Sequence, residues 1–394
     1  MGVPRAIATT DPTGGSPVRD VRVRSIKEPT KTQLFVQAGG RCEFAGCNEY
    51  LLEHHLTLTP GNFAQAAHIV AFSPNGPRAN AELPAKYVND LNNLMLLCQR
   101  CHKLVDDNPS AYPVHHLQRN KALHEERIHH VTGISADLKT TVVQFKARIA
   151  GRTVSVPFAD AASAIKPRYP EDKKGLVIDL TDITASGPEF LSVARDEITT
   201  QIAQLSARGL DRAEPRHVSL FAMGPIPLLV HLGRELSDKV ELDLYQRHRD
   251  TEDWRWKPSG TPVEFTVRTV RQGANSSSVA LCLSLSGSIH VDSLPPPVDG
   301  RFTVYELTPA NMVPTPLFLN MQDDLTRFRL TYQSVLRMIG KHHPGIRDLH
   351  LFPAVPAPIA VLCGRELLPK VDPKLLVYDA DKANGGFALA LTVN

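Results

Sequence analysis

The chain has 394 residues, of which 42% are hydrophobic, and its formal net charge is only +3. This size and composition predict two or three folded domains, and so small a net charge does not by itself indicate a nucleic-acid-binding protein. No apolar run approaches the roughly 18 to 20 residues of a membrane span, and residues 1–5 lack the apolar segment of a signal peptide. We therefore expect a cytoplasmic protein with no membrane partner.

The amino-terminal third carries a group of cysteines with the spacing of a metal site. Residues 1–24 are rich in Pro, Gly, Ser and Thr and are predicted to be a mobile tail. Beyond them, four of the six cysteines form two close pairs, Cys42 with Cys47 and Cys98 with Cys101. Four thiolates in two such pairs predict one structural Zn²⁺. A purely structural zinc ribbon is the alternative that these pairs alone leave open.

Further residues around these cysteines carry a resemblance to a nuclease family. The stretches are Gly40-Arg41-Cys42, Ala66-Ala67-His68-Ile69-Val70, Gly76-Pro77-Arg78, Asn93 to Cys98, and Cys101-His102-Lys103. The segment from Arg41 to about Glu125 resembles an HNH endonuclease of the ββα-metal type, which implies an HNH domain over residues 25–130.

The resemblance implies a role for each of three residues. His68 would be the general base that deprotonates the attacking water, and Asn93 would hold the loop that orients it. His102 would bind a catalytic cation, Mg²⁺ or a similar divalent ion. Many HNH sequences carry Asp before the first histidine, where this chain has Ala67, so the second protein ligand stays open between Asp106 and His54.

Basic residues accompany this segment and are consistent with a double-stranded DNA substrate. Nine of the sixteen histidines lie between residues 54 and 130. They are accompanied by Arg100, Lys103, Arg119, Lys121 and Arg127. Together they predict a basic side that meets phosphates, and the alternative is an ordinary solvated helix face.

The residue pattern changes near residue 131, beyond which apolar and polar residues begin to alternate as they do in strands. We expect a linker at 131–137 and a second folded region over 138–394. Alternating apolar residues predict strands at Val142–Lys146 and Thr153–Val156.

An internal repeat organises this second region. Residues 220–236 align without gaps with residues 351–367, and nine of the seventeen positions are identical, including a shared Gly-Arg-Glu-Leu. Each copy reads as a strand, a Pro-rich turn, a helix and a strand. The predicted elements are 218–221, 226–237 and 240–245 in the first copy, and 349–352, 357–368 and 375–378 in the second.

A further strand and a long helical pattern are predicted ahead of each copy. The strands are Leu176–Leu180 and Leu317–Met321, followed by Asp182 and Asp323. Strand and helix alternation of this kind predicts two fused Rossmann-like α/β half-domains with parallel sheets, about 138–250 and 251–394. The predicted fold class is thus α+β for the front and α/β for the rest.

Parallel sheets bind ligands beyond the carboxyl ends of their strands, where helix amino termini offer N–H groups to phosphates. Two such copies facing each other suit a ligand of matching symmetry, a cyclic di- or oligonucleotide. The candidate binding residues are Met223, Gly224, Pro225, Trp254, Trp256, Phe352, Pro353 and Lys370, with Arg247 as a further phosphate partner. Core packing of each tryptophan is the alternative to stacking on a purine.

These features together resemble a SAVED domain, a fusion of two CARF-like units that senses cyclic oligonucleotides. The resemblance covers roughly residues 138 to 394, and with the HNH match it implies an effector nuclease of bacterial antiphage CBASS systems. DNA degradation would then be switched on by a cyclic nucleotide that drives homo-oligomerisation to a dimer or tetramer. The rival hypotheses are a restriction-type HNH enzyme whose second part reads DNA modification or a protein partner, and a non-catalytic zinc-binding regulator.

Overall fold

The computed structural model describes residues 25–71, 76–79, 85–149, 151–207, 217–238, 240–368, 370–380 and 386–394. The tail predicted for residues 1–24 lies outside them. The chain divides into two compact units, Met1–Ile134 and Ser135–Asn394, which we call the amino-terminal and carboxy-terminal units. Within the described ranges, no helix combines the length and the hydropathy that a bilayer span requires.

A two-stranded antiparallel sheet and one short helix form the centre of the amino-terminal unit. Strand β1 (Ala64–His68) pairs with β2 (Leu94–Cys98), which runs directly into helix α2 (Gln99–Asp107). Every residue of β2 is buried because its apolar run is covered on both faces. Two more helices, α1 (Glu28–Gln37) and α3 (Val114–Thr132), complete the core through Leu34 and Leu117.

The carboxy-terminal unit contains two sheets with parallel centres. In the first, β3 (Lys139–Lys146) pairs on one side with β4 (Tyr169–Pro170) and β5 (Leu176–Asp179). On its other side the order continues through β6 (His217–Met223) to β7 (Glu241–Tyr245), and all these pairings are parallel. The accompanying helices are α4 (Phe158–Ala164), α5 (Gly187–Ala207) and α6 (Ile226–Leu236).

The second sheet has six strands, β8 (Phe265–Arg271), β9 (Val279–Ser284), β10 (Thr303–Pro309), β11 (Asp348–Ala354), β12 (Lys374–Ala380) and β13 (Phe387–Val393). Their order across the sheet is β13-β12-β11-β9-β10-β8. The four central strands are mutually parallel, and β8 and β13 close the edges in antiparallel pairings. The helices of this half are α7 (Gln322–His342) and α8 (Ala357–Arg365).

Helices α6 and α8 cross at the glycines of the duplicated Gly-Arg-Glu-Leu segment. A Cβ placed on Gly233 would lie 1.8 Å from the carbonyl oxygen of Val361, and one on Gly364 would lie 1.8 Å from that of Val230. The two contacts are equivalent under the sequence repeat, so the halves meet about an approximate twofold axis. One continuous apolar core, which includes Val230, Val361 and residues of both sheets, joins them.

The predicted fold class is confirmed, and the repeat forms the elements that its pattern indicates. Two predicted strands are wrong. Residues 317–321 form no strand, and the strand that comes before α7 is β10. The side-chain amide of Asn320 instead donates to the carbonyls of Leu317 and Phe318, which competes with strand pairing. Residues 153–156 are likewise irregular; there Val156 accepts a hydrogen bond from the side-chain amide of Gln144.

Candidate functional site

The four thiols of the amino-terminal unit lie together in the arrangement that a single zinc ion needs. The sulfur atoms of Cys42, Cys47, Cys98 and Cys101 all lie within 4.8 Å of one another, and those of Cys47 and Cys98 are 3.9 Å apart. Zn–S bonds of about 2.3 Å in a tetrahedron place sulfurs about 3.8 Å apart, so the donor set fits Zn²⁺. The sequence expectation for these residues therefore agrees with the observed geometry.

Local backbone structure presents each cysteine pair to the ion. Gly46 has φ +84°, which lets the chain turn back between Cys42 and Cys47. Cys98 ends β2 and caps the amino end of α2, and its sulfur accepts a hydrogen bond of 3.4 Å from the Cys101 N–H. The tight reversal at each pair thus results from a glycine in one case and a helix start in the other.

The pKa values of these thiols show how burial and hydrogen bonds affect their ionisation in the absence of a metal ion. Burial raises the pKa of Cys42 to about 12 and also raises the pKa of Cys101. For Cys98, burial opposes ionisation, but hydrogen bonds from the Cys101 backbone and the neighbouring thiols lower its pKa below the usual value. Four thiolates do not form together at neutral pH without a compensating positive charge, and Zn²⁺ supplies it when bound.

Glu43 fastens the first cysteine pair to the sheet, a role that the sequence did not reveal. Its backbone N–H donates to the Leu96 carbonyl at 2.9 Å, and the Leu96 N–H donates to its carboxylate at 2.5 Å. The side chain is fully buried 3.9 Å from the ammonium of Lys121, and burial raises its pKa to about 8. An acidic residue beside a cysteine reads as a surface residue in the sequence, since its partner lies 53 positions away.

His68 stands at the carboxyl end of β1, with its tautomer set by the backbone. Its Nε2 lies 3.1 Å from the carbonyl oxygen of Val88. A carbonyl only accepts hydrogen bonds, so Nε2 carries the proton of the neutral ring and Nδ1 carries the lone pair. The ring is half-buried, and its Nδ1 is the nitrogen that can take a proton from a bound water.

Asn93 ties the segments on either side of His68 together. Its side-chain oxygen accepts from the Val70 N–H at 2.8 Å, and its amide donates to the carbonyls of Val70 at 3.2 Å and Tyr87 at 3.4 Å. Its own carbonyl accepts from the Ile69 N–H at 2.9 Å. Because Tyr87 precedes Val88, this buried amide holds both the loop after His68 and the carbonyl that orients its ring.

His102 lies on α2 next to one of the two residues considered as a further cation ligand. Its Nε2 is 3.2 Å from a carboxylate oxygen of Asp106, one helical turn later. The other oxygen of Asp106 accepts from the guanidinium of Arg78 at 2.9 Å. His54 instead contacts Thr57, His55 and Phe63, all from its own part of the chain.

The basic side predicted for the nuclease segment is largely paired within the protein. Arg100 binds Glu49 and Lys103 binds Asp107, each at 2.7 Å. Lys121 is buried against Glu125, and the guanidinium of Arg127 donates to the side-chain oxygen of Asn48. Four of the five cations singled out in the sequence therefore already have partners, which leaves less free positive charge for phosphates than the sequence suggested.

In the carboxy-terminal unit, equivalent turns follow β6 and β11 at the carboxyl edge of the sheets. The carbonyl of Met223 accepts from the Ala147 N–H at 2.9 Å, and that of its repeat equivalent Ala354 accepts from the Ser286 N–H at 2.7 Å. Pro225 and Pro356 then cap the amino ends of α6 and α8. The edge is thus built twice, as the duplicated sequence indicates.

The other candidate ligand-binding residues divide into buried and accessible groups. A Cβ on the buried Gly224 would lie 2.6 Å from the Phe145 ring, so no side chain fits there. Phe352 stacks on Tyr378 with ring centres 4.3 Å apart, and Pro353 is buried beside it in β11. Trp254 is 1% exposed and contacts Phe221 edge to face. In this structure Phe352 and Trp254 are core residues and present no ring face to a ligand.

Trp256, Lys370 and Arg247 are more accessible. The Trp256 indole donates to the Leu244 carbonyl at 3.1 Å, and the ring is half-buried at the wall of a cavity of about 560 Å³. Lys370 is exposed with φ +74°, and the guanidinium of Arg247 lies 3.9 Å from Glu252.

A larger cavity of about 830 Å³ lies at the carboxyl ends of α6 and α8, away from the predicted edge. Its arginines are Arg234, Arg329, Arg337 and Arg365. Arg234 and Arg365 are repeat equivalents, so the duplicated Gly-Arg-Glu-Leu segment is a sequence signal for this cavity.

Comparison with known proteins identifies both parts of the chain. Residues 42–108 match the family model of the HNH endonuclease, and residues 198–393 match that of SAVED, the SMODS-associated and fused to various effectors sensor domain. No curated protein matches the chain. Both resemblances inferred from the sequence are confirmed by these matches.

Similar solved structures include two Cap4 receptors. The Acinetobacter baumannii Cap4 SAVED/CARF-domain containing receptor with the cyclic trinucleotide 2'3'3'-cAAA has 14% identity and a TM-score of 0.45 over 78% of this chain and 64% of the receptor. The Moraxella osloensis Cap4 receptor has 13% identity and a TM-score of 0.40 over 75% of this chain and 60% of the receptor. The chain thus spans less than two thirds of the length of these receptors. On the two family matches, this protein joins an HNH endonuclease domain to a SAVED sensor domain.

Proposed function

We propose that the protein is a DNA endonuclease of bacterial antiphage defence that hydrolyses double-stranded DNA when its sensor domain binds a cyclic di- or oligonucleotide. The observation that supports the nuclease chemistry best is the tautomer of His68. A ring whose Nε2 donates to Val88 offers Nδ1 as a base, and Asn93 holds that arrangement. A purely structural zinc ribbon requires neither feature.

In the proposed reaction, His68 Nδ1 removes a proton from water as the water oxygen attacks phosphorus. The bond from phosphorus to the 3′ oxygen breaks, the 3′ oxygen takes a proton from a solvent water, and His68 later returns its proton to solvent, which leaves a 5′ phosphate and a 3′ hydroxyl. Asn93 acts as a positioning residue. His102 would hold a divalent cation, which would supply positive charge to the phosphate and the leaving oxygen when bound.

Plasmid cleavage in Mg²⁺ tests this function, with and without a panel of cyclic di- and trinucleotides. One nucleotide should switch cleavage on, and His68→Ala should lower the rate by roughly 10²- to 10⁴-fold, the usual contribution of a general base. His129→Ala is the matched control, because His129 is an exposed histidine of α3. Constitutive cleavage would refute nucleotide control, and full activity of His68→Ala would refute the base assignment.

The carboxyl edge of the two sheets is the proposed nucleotide site, because it combines duplicated turns with the amino termini of α6 and α8. Met223→Glu places a negative charge there, and Arg337→Gln alters the cavity at the opposite ends of these helices. Loss of nucleotide binding in Met223→Glu alone supports the proposed edge. Loss in Arg337→Gln alone moves the site to the large cavity.

Nucleotide-driven assembly completes the proposal. Two active sites brought together can cut both strands, and the ligand drives assembly only if it binds the assembled form more tightly. Sedimentation with and without the activating nucleotide measures this. A protein that stays monomeric while fully active contradicts it.

A further inference from the structure

This chain has Ala67 where many HNH sequences carry an aspartate, and helix α2 offers a candidate replacement for that carboxylate. One oxygen of Asp106 lies 3.2 Å from Nε2 of His102. Both side chains are 35% exposed, so neither atom is sealed from solvent. The pair therefore combines one imidazole nitrogen and one carboxylate oxygen at a place that ions and phosphates can reach.

The spacing of these two atoms suits adjacent ligands of one cation. Ligand bonds of about 2.1 Å at right angles place the two donor atoms about 3 Å apart. The observed separation is close to this value, so the cation needs no rearrangement of the helix. Mg²⁺ and Mn²⁺ typically use one or two carboxylates and fill the other positions with water and phosphate oxygens.

Arg78 holds the carboxylate in this orientation. Its side chain is 5% exposed, and its guanidinium donates to the other oxygen of Asp106 at 2.9 Å. It also donates to the carbonyls of Ile69 at 2.8 Å and Val105 at 2.6 Å. A planar guanidinium makes these three contacts at once, and a lysine ammonium does not reproduce that geometry.

The same three contacts of Arg78 connect the end of β1, where His68 lies, to α2, which carries His102. Ile69 follows His68 directly, whereas Val105 and Asp106 belong to α2. Arg78 has φ +56°, a strained conformation for a residue with a side chain, which indicates that surrounding contacts maintain it. Its guanidinium therefore connects the backbone next to His68 to the helix that carries His102.

We propose that the catalytic cation is bound by Nε2 of His102 and by Asp106, and that Arg78 is a positioning residue for this site. The catalytic meaning of the site rests on the proposed nuclease function, whereas the cation site itself does not. Asp107 does not replace Asp106, because its carboxylate pairs with Lys103 at 2.7 Å. His54 remains within its own segment, as described above.

Mn²⁺ binding to the full-length, zinc-loaded protein tests the proposal by electron paramagnetic resonance of the free ion. Asp106→Asn and His102→Ala should each weaken Mn²⁺ binding at least about tenfold, and Arg78→Lys should weaken it by about tenfold, as loss of a supporting partner usually does. Asp107→Asn, the neighbouring acid, should leave the affinity unchanged. Zinc content confirms in each variant that the thiol cluster is intact.

Asp106→His adds a gain of function that a merely structural role does not predict. Imidazole favours Ni²⁺ over Mn²⁺ more strongly than a carboxylate does, so this variant should raise the ratio of Ni²⁺ affinity to Mn²⁺ affinity above that of the wild type. Unchanged Mn²⁺ affinity in Asp106→Asn overturns the proposal, whatever the cleavage rate. Conversely, a protein that never cleaves DNA but loses Mn²⁺ in Asp106→Asn keeps the cation site and loses the nuclease function. His68→Ala should keep Mn²⁺ and lose cleavage.

Discussion

The crossing of helices α6 and α8 predicts that alanine at either repeat glycine destabilises the carboxy-terminal unit. The Cβ of Gly233→Ala would lie 1.8 Å from the Val361 carbonyl oxygen. Ordinary carbon–oxygen contacts lie at about 3.3 Å or more, so the helices must separate by about 1.5 Å. The obstacle is backbone, which cannot rotate aside as a flexible side chain does.

The expected loss follows from two opposing effects. Overpacking of a tight core usually costs about 1–3 kcal/mol, and a backbone obstacle belongs at the upper end. Alanine in a helix interior is intrinsically favoured over glycine by about 1 kcal/mol, which offsets part of this. We expect a net loss of about 2 kcal/mol, or a fall of about 4 °C in the melting temperature of a unit of this size.

Differential scanning calorimetry measures this, because it resolves the melting of separate units. Gly340→Ala is the matched control. Gly340 also lies in a helix, α7, but it is exposed and its Cβ would meet nothing within 4 Å. The control should be neutral or stabilising by up to about 1 kcal/mol. Equal effects of Gly233→Ala and Gly340→Ala would refute the close crossing, and Gly364→Ala should repeat the result of Gly233→Ala.

Three further predictions concern zinc, pH and the buried side-chain amide of Asn93. Cys101→Ser, or a strong chelator, should release zinc and lower the melting temperature of the amino-terminal unit, while the melting temperature of the carboxy-terminal unit stays constant. A zinc assay and calorimetry measure this. If the amino-terminal unit melts at an unchanged temperature without zinc, the prediction is wrong. Burial lowers the pKa of His231, His248 and His350 below the usual 6.5, so the unfolded chain binds more protons there and the carboxy-terminal unit should lose stability as pH falls from 7.5 to 5.5. In His350→Phe the melting temperature of the carboxy-terminal unit should depend less on pH. An unchanged pH dependence would show that His350 does not contribute to it. Asn93→Ala removes three buried hydrogen bonds of the side-chain amide. It should lower the free energy of unfolding of the amino-terminal unit by about 1–3 kcal/mol and slow cleavage. Wild-type stability of this variant would show that these hydrogen bonds are not needed.

Local spacing was enough to predict much of the amino-terminal unit. A pair of cysteines separated by two or four residues closes on one ion wherever the chain turns, so Cys42, Cys47, Cys98 and Cys101 could be grouped without coordinates. The duplicated segment likewise predicted two α/β halves, because strand, helix and strand follow one another along the chain. The errors came where a local pattern lacked context, as at 317–321, where apolar residues follow two prolines and enter no sheet.

Contacts between distant residues decided the rest. The sequence placed Trp254 and Phe352 near a ligand edge, but Trp254 is buried edge to face against Phe221 and Phe352 is stacked on Tyr378. No periodicity distinguishes a core ring from an exposed one. Arg78 and Asp106 are 28 positions apart, and only the fold brings that guanidinium onto the carboxylate beside His102. The sequence by itself thus determined which chemical groups the protein possesses and that its sensor is built twice, since both are properties of neighbouring residues. The tertiary structure decided which groups face one another, because that depends on long-range packing.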